Sequence, residues 1–206
     1  MKRFAVFASG HGSNLQAIID AIKKNKVKAE LCMVVSDNKN AYALKRALRA
    51  SIITVVIDPK KFKSREAMDR AIVAELKSFG VNFVVLAGYM RILSPYFVKV
   101  FRNKILNIHP ALLPSFKGAH AIKDAFDAHV ASTGVTVHFV DEKVDHGPIV
   151  AQEVLKIRKS DTLKTLEARI HKLEHRLYPK VIGQMAAGKI RPRGRGALKK
   201  AVIRNS

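Results

Sequence analysis

The feature of this sequence that most limits how the chain can fold is a repeated exchange between two hydrophobic rhythms. Phe4-Ala5-Val6-Phe7-Ala8 is apolar at every position, which suits a strand covered on both faces. After SGHGSN the apolar residues Leu15, Ile18, Ile19 and Ile22 return at the spacing of one helix face. The exchange recurs in LCMVVSD with the alanine-rich segment 41–50, and again in ITVVID with a helix expected from about Ser64 to Phe79. In that helix Met68, Ile72, Leu76 and Phe79 form an apolar stripe. VNFVVLA and KILNI add two more apolar strands. Strands apolar throughout, alternating with amphipathic helices, imply an α/β fold: a Rossmann-like, mostly parallel twisted sheet with helices on both faces.

From Gly134 the rhythm changes. VTVHFV and PIVAQEVLKI are extended runs joined by DEKVDHG, so an antiparallel edge pair is expected to complete the sheet. A long helix is expected from about Thr162 to Met185, with Pro179 kinking or interrupting it. At 206 residues and 48% hydrophobic, the chain is sized for one core. The division expected is a catalytic domain over residues 1–188 and a basic C-terminal tail over residues 189–206.

Thirty-eight Lys and Arg against sixteen Asp and Glu give a formal charge of +22, which favours anionic partners. The segment GKIRPRGRGALKKAVIRNS contains no acid, and it contains no aromatic residue to stack a base. It therefore reads as a solvated terminus, and a nucleic-acid partner is not expected despite the charge. The single Cys32 lies inside an apolar run, which excludes an internal disulfide and fits a reduced compartment. No stretch approaches the ~20 apolar residues of a membrane helix, so the expectation is a soluble, cytoplasmic protein without a membrane partner.

In such sheets ligands bind beyond the carboxyl ends of the strands. That rule gathers SGHGSN, AGYMRILSP and NIHPALLPSFKG at one edge. Gly10 and Gly12 have the G-x-G spacing of a dinucleotide turn, but Leu15 stands where its third glycine belongs. An NAD(P) oxidoreductase, with Asp37 as the ribose-binding acid, is therefore poorly supported. Gly12, Ser13 and Asn14 suit a single phosphate, since glycine admits close approach, Ser and Asn can cap, and a helix start offers free N–H groups. A second group is Asn107, His109 and Asp145, an amide, an imidazole and a carboxylate that suffice for acyl transfer without a covalent intermediate. The residue types alone also allow a satisfied strand-end histidine and a turn aspartate. His171 and His175 are four apart on the long helix, but the residues between them lack the zincin order, and no metal is expected.

The stretches SGHGSNLQAIIDA, SREAMDRAIVAEL, VVLAGYMRILSP, ILNIHPALLPSFKGAHA, TGVTVHFVDEKVDHGPIVAQ and KLEHRLYPKVI, in this order from about residue 3 to residue 188, resemble the phosphoribosylglycinamide formyltransferases. This is a family of folate-dependent enzymes of purine biosynthesis. N-x-H-P-x-L-L-P followed by D-x-G is shared with other folate formyltransferases, whereas G-S-N-L-Q-A, M-R-I-L and E-H-x-x-Y-P together are narrower. Transfer RNA formyltransferases add a C-terminal domain and formyltetrahydrofolate hydrolases an N-terminal one, so the extent of this chain favours the stand-alone purine enzyme.

The resemblance implies the formyltransferase fold and transfer of a formyl group from 10-formyltetrahydrofolate, a co-substrate, to the amine of phosphoribosylglycinamide. It implies Asn107, His109 and Asp145 as catalytic residues. Gly12, Ser13 and Asn14 would take the substrate phosphate, and Glu174 the ribose hydroxyls. Met90, Arg91, Ile92 and Leu93 would line the pterin pocket with Asn107, the loop from Asp141 to Asp145 would close over it, and Arg65 would meet the folate glutamyl carboxylate. His120 would lie near the site. Ala111 stands where the family commonly has Ser, and the strong basic bias is not a family requirement. The partners implied are these two small molecules, for a monomer or homodimer.

Overall fold

The computed structural model describes residues 1–190. Its strands are β1 (Arg3–Phe7), β2 (Glu30–Ser36), β3 (Ile53–Val56), β4 (Phe83–Leu86), β5 (Ile105–His109), β6 (Ser132–Phe139) and β7 (Ile149–Lys156). Its α-helices are α1 (Ser13–Lys23), α2 (Tyr42–Arg49), α3 (Arg65–Ser78), α4 (Pro95–Val100), α5 (Ala121–Asp127) and α6 (Leu163–Ala186). The strands form one sheet in the order β3-β2-β1-β4-β5-β6-β7. Pairing is parallel from β3 through β5 and antiparallel at β5–β6 and β6–β7. The mostly parallel sheet with a C-terminal antiparallel pair is the expected architecture.

Side chains alternate across this sheet as strand geometry requires. Phe4, Val6, Leu106 and Ile108 enter the core under α1, α2 and α6, whereas Ala5, Phe7 and Ile105 enter the core under α3 and α4. Both faces are covered, which explains why these strands show no polar alternation.

Ser64 caps α3 by accepting from the Ala67 N–H at 3.1 Å, and Thr162 forms a reciprocal capping box with Thr165 on α6. Helix α6 runs through Pro179 without the interruption that was one of the two expected outcomes there. A proline inside a helix costs about 3 kcal/mol. Here the face formed by Leu166, Ile170, Leu173, Leu177, Tyr178, Val181 and Ile182 is buried on both sides of it, and that packing outweighs one missing N–H. The short helices α4 and α5 fall in segments without sustained periodicity. Residues 191–206, most of the expected basic tail, lie outside the described residues. No helix among the described residues is long and apolar enough to cross a membrane.

Candidate active site

The chain passes from β1 outward through β2 to β3, then returns to place β4 on the other side of β1. At such a reversal the loops after the two central strands diverge and leave a crevice. The crevice here is a cavity of about 810 Å³, bounded by the turn after β1, the loop after β4, the end of β5, the loop between β6 and β7, and α6.

The turn after β1 is shaped by Gly12, whose φ of 72° lies in the left-handed region. A Cβ at this position would meet the Cβ of Ala43 at 2.7 Å, so α2 presses directly on the turn. Ser13 and Asn14 do not cap α1 as expected, because Gly12 itself is the N-cap and no side chain caps the helix. The first N–H groups of α1 thus have no side-chain partner and face an opening lined by Gly10, Gly12 and Ser13. Arg46 braces the turn by donating from Nε to the His11 carbonyl at 3.0 Å and from Nη1 to Oε1 of Gln16 at 3.0 Å.

The loop after β4 is tied to this turn. Ser9 Oγ donates to Asp37 at 2.6 Å and accepts the Met90 N–H at 2.9 Å. Asp37 is therefore engaged in holding the two loops together, not in lining the cavity. On the other side, the buried Asp69 of α3 accepts the Ser94 N–H at 2.6 Å and pins the end of the same loop. Between these anchors Met90 and Ile92 stand 70% and 55% exposed at the rim, opposite Val144 at 50%. Large apolar side chains exposed around a cavity of this size fit a flat, largely apolar ring system.

Asn107, His109 and Asp145 meet on the cavity wall. Asn107 and His109 are alternate residues of β5, so strand geometry turns both to one side. Asp145 reaches them from the β6–β7 loop, with a φ of 48° that is unusual for a residue other than glycine. Its Oδ2 accepts the Gly118 N–H at 2.9 Å and lies 3.4 Å from Nδ1 of His109. On the far side of the ring, Nε2 of His109 lies 2.7 Å from the Phe116 carbonyl.

Opposite Asn107 in the antiparallel register stands His138. Its Nδ1 sits 2.8 Å from the Phe139 carbonyl and must donate there, which leaves Nε2 to accept from Asn107 Nδ2 at 3.1 Å. That bond fixes which way the Asn107 amide points. The same Nδ2 lies 3.5 Å from Asp145 Oδ1, a contact long enough to yield to a better acceptor.

Burial pushes the His109 imidazole below its ordinary range, against the opposing pull of Asp145 and of the Phe116 carbonyl. Burial works against the Asp145 carboxylate too, but His138, whose Nε2 lies 3.6 Å away and can donate to it only when the ring is protonated, together with the Gly118 N–H and the charge of His109, holds it below the usual carboxylate range. The pair at neutral pH is an ionised carboxylate beside a mostly neutral imidazole.

Glu174 closes the opposite wall. Its Oε2 accepts from Asn14 Nδ2 at 3.1 Å and from His171 Nδ1 at 2.9 Å, and the residue is 4% exposed. The Glu174 bond draws the His171 pKa upward, partly offset by burial.

The formyl transferase family profile matches residues 2–182. The chain belongs to the formyl transferase family. It is 44% identical to the phosphoribosylglycinamide formyltransferase of Bacillus subtilis, over 90% of this chain and 95% of that protein. It is 47% identical to the trifunctional purine biosynthetic protein adenosine-3 of Gallus gallus, over 91% of this chain but only 19% of that much longer one. The crystal structure of glycinamide ribonucleotide transformylase 1 from Symbiobacterium toebii superposes with a TM-score of 0.91 at 42% identity, covering 95% of this chain and 92% of that one.

In this formyl transferase the cavity brings together Gly12, Ser13, Asn14, Met90, Arg91, Ile92, Leu93, Asn107, His109, Asp141, Asp145 and Glu174. Arg65 is not among its lining residues. It is exposed at the first turn of α3, one turn before Asp69. His120 is exposed at the start of α5 and does not line the cavity either. His138, Arg46 and the Phe116 carbonyl went unrecognised in the sequence. For His138 a signal was present, since Thr136 and His138 are polar residues two apart inside an apolar strand, hence on one face.

Proposed function

We propose that this formyl transferase moves the formyl group of 10-formyltetrahydrofolate onto the primary amine of 5-phosphoribosylglycinamide, yielding the N-formyl product and tetrahydrofolate in purine biosynthesis. The observation that carries this reading is the meeting of Asn107, His109 and Asp145 on one cavity wall, with an open helix start on one side and an apolar rim on the other. The helix start takes the phosphate of the ribonucleotide, Glu174 accepts from its ribose hydroxyls, and the Met90–Leu93 loop takes the pterin.

The attacking amine first forms the new carbon–nitrogen bond at the formyl carbon, and the bond to the folate nitrogen then breaks. Negative charge collects on the formyl oxygen between these events. Asn107 Nδ2 turns one N–H from its long contact with Asp145 to that oxygen, while His138 holds the other. Asp145, already ionised, receives the amine proton, directly or through water, and the proton ends on the departing folate nitrogen. Nε2 of His109 donates to the Phe116 carbonyl, and when it exchanges that carbonyl for the reacting groups the ring proton can move to Nδ1, from which it donates to Asp145 and orients it. Arg65 lies on the exposed side of α3, where a flexible anionic end of the folate can reach it. Substrates enter from water, in keeping with small-molecule partners and a cytoplasmic setting.

The test is a spectrophotometric assay of the purified protein with 10-formyltetrahydrofolate, run with and without the ribonucleotide. Loss of formyl-folate that requires the amine establishes the transferase. Equal loss without the amine would indicate a hydrolase and reject this reading.

A further inference from the structure

A second cavity, of about 760 Å³, runs between α1 and α6 and meets the first one only at Ser13 and His175. Its lining carries Lys24, Lys26, Arg46, Arg176, Lys180 and Lys189, with Asp20 as the one carboxylate among them. Arg46 and Arg176 are committed to Gln16 and Glu153, whereas the four lysines are exposed and have no acidic partner among the described residues. The floor is built of small residues, Ala17, Ala21, Gly183 and Ala187. At Gly183 a Cβ would stand 3.3 Å from the Lys26 carbonyl, so α6 and the chain after α1 approach closely there.

The occupant of this trough is constrained by its shape and charge. From Ser13 to Lys24 α1 rises ~16 Å, so a monophosphate held at the helix start cannot touch the lysines at the far end. The cavity volume over that length gives a trough roughly 8 Å across, narrower than the ~12 Å major groove of a duplex and matched to one strand. No large aliphatic or aromatic side chain lines it, so it lacks the apolar anchors on which a protein partner depends. Several cations in one trough, beside neutral Gln16 and Gln184, suit a chain of phosphates. The sequence that follows continues the charge, since residues 191–206 add Arg191, Arg193, Arg195, Lys199, Lys200 and Arg204 with no acid. No Phe, Tyr or Trp lines the trough or follows it in the sequence, so contact falls mainly on the backbone, which needs only cations.

We infer that the α1–α6 trough binds the phosphate backbone of a single-stranded nucleic acid without regard to sequence, at a site separate from the formyl-transfer cleft. The test is fluorescence anisotropy of a labelled oligouridine of about 12 nucleotides, titrated with the full chain across a salt series, where each phosphate contact on a single strand contributes a log–log slope of about −0.7. Two double variants are compared: Lys24→Glu with Lys180→Glu in the trough, and Lys77→Glu with Lys99→Glu on the α3–α4 face. The trough variant is expected to bind at least about tenfold more weakly with a slope shallower by about 1.4, while the α3–α4 variant stays within about twofold of the parent. Circular dichroism melting confirms that both variants fold. Equal weakening by both variants would reduce the effect to net charge and overturn the inference, as would binding lost at about 0.1 M salt. Tripolyphosphate bound as tightly as the oligonucleotide would also overturn it in favour of a free oligophosphate. None of these readouts depends on catalysis, so a failure here is separable from a failure of the proposed activity.

Discussion

The hydroxyl of Tyr178 lies 2.7 Å from the Leu86 carbonyl and 3.0 Å from the Leu106 carbonyl. A fully buried side chain of α6 thereby ties the last residue of β4, ahead of the Met90 loop, to β5 at the residue before Asn107. Removing the hydroxyl while keeping the ring leaves buried carbonyls under-satisfied, at a cost of about 1–3 kcal/mol. Tyr178→Phe is therefore expected to lower the melting temperature by roughly 2–10 °C for a chain of this size. A melt unchanged within about 1 °C would mean that the carbonyls are adequately bonded without it.

Gly12→Ala tests the turn after β1. The new Cβ would collide with Ala43, and the residue would hold a φ that alanine resists. Either α2 or the turn must shift, which misplaces the helix start meant for the phosphate. The Michaelis constant for the ribonucleotide is expected to rise about tenfold or more, with that for the folate changed less than about threefold. Steady-state kinetics with each substrate varied in turn measures both, and equal increases would show that the turn supports the whole cleft.

Most of this architecture was legible in the sequence because burial on both faces writes itself as uninterrupted apolar strands. The helix limits were legible for a similar reason, since Ser64 and Thr162 precede apolar stripes and do act as caps. The long helix through Pro179 was legible too, but that it would not be interrupted there was not, because that depends on the buried face on either side of the proline. Asn107, His109 and Asp145 were found as residue types, but their partners were not. His138 is opposed to Asn107 only by strand register, and the Phe116 carbonyl is a backbone group that any residue could supply. Arg46 acts across 35 residues on a backbone carbonyl, a relation that residue spacing does not encode.

His138→Ala removes the acceptor that orients the Asn107 amide. The amide is then free to rotate its oxygen toward the formyl group, where it would repel the developing charge. Turnover is expected to fall by about 10²-fold, with the folate Michaelis constant nearly unchanged. A double-mutant cycle supplies the check, because in an Asn107→Ala background the second substitution should cost little. Additive losses would show that His138 acts independently of Asn107.

Asp145→Asn keeps the shape of the carboxylate and removes its charge and its capacity to receive the amine proton. The amide retains one oxygen for the Gly118 N–H, so the loop is expected to stay in place. Turnover should drop by at least about 10²-fold while both Michaelis constants stay within about threefold. A large rise in either constant with turnover preserved would assign Asp145 to binding in place of proton transfer.

The histidines make stability depend on pH in opposing directions. Burial holds His109 below the ordinary imidazole value of about 6.5, so below that pH the unfolded chain takes up a proton that the folded chain refuses. Stability attributable to His109 is therefore lost as pH falls below about 6.5, down to its folded value. His171 works the other way. Its bond to Glu174 raises its folded value, so its contribution is fully present below about 6.5 and is lost as pH rises through the raised value. Between about pH 7 and pH 5.5, His109→Asn is expected to show a shallower acid-side fall in melting temperature than the parent, and His171→Gln a steeper one. Differential scanning calorimetry at the two pH values measures each slope. Identical slopes in all three proteins would mean that neither histidine changes its proton affinity on folding.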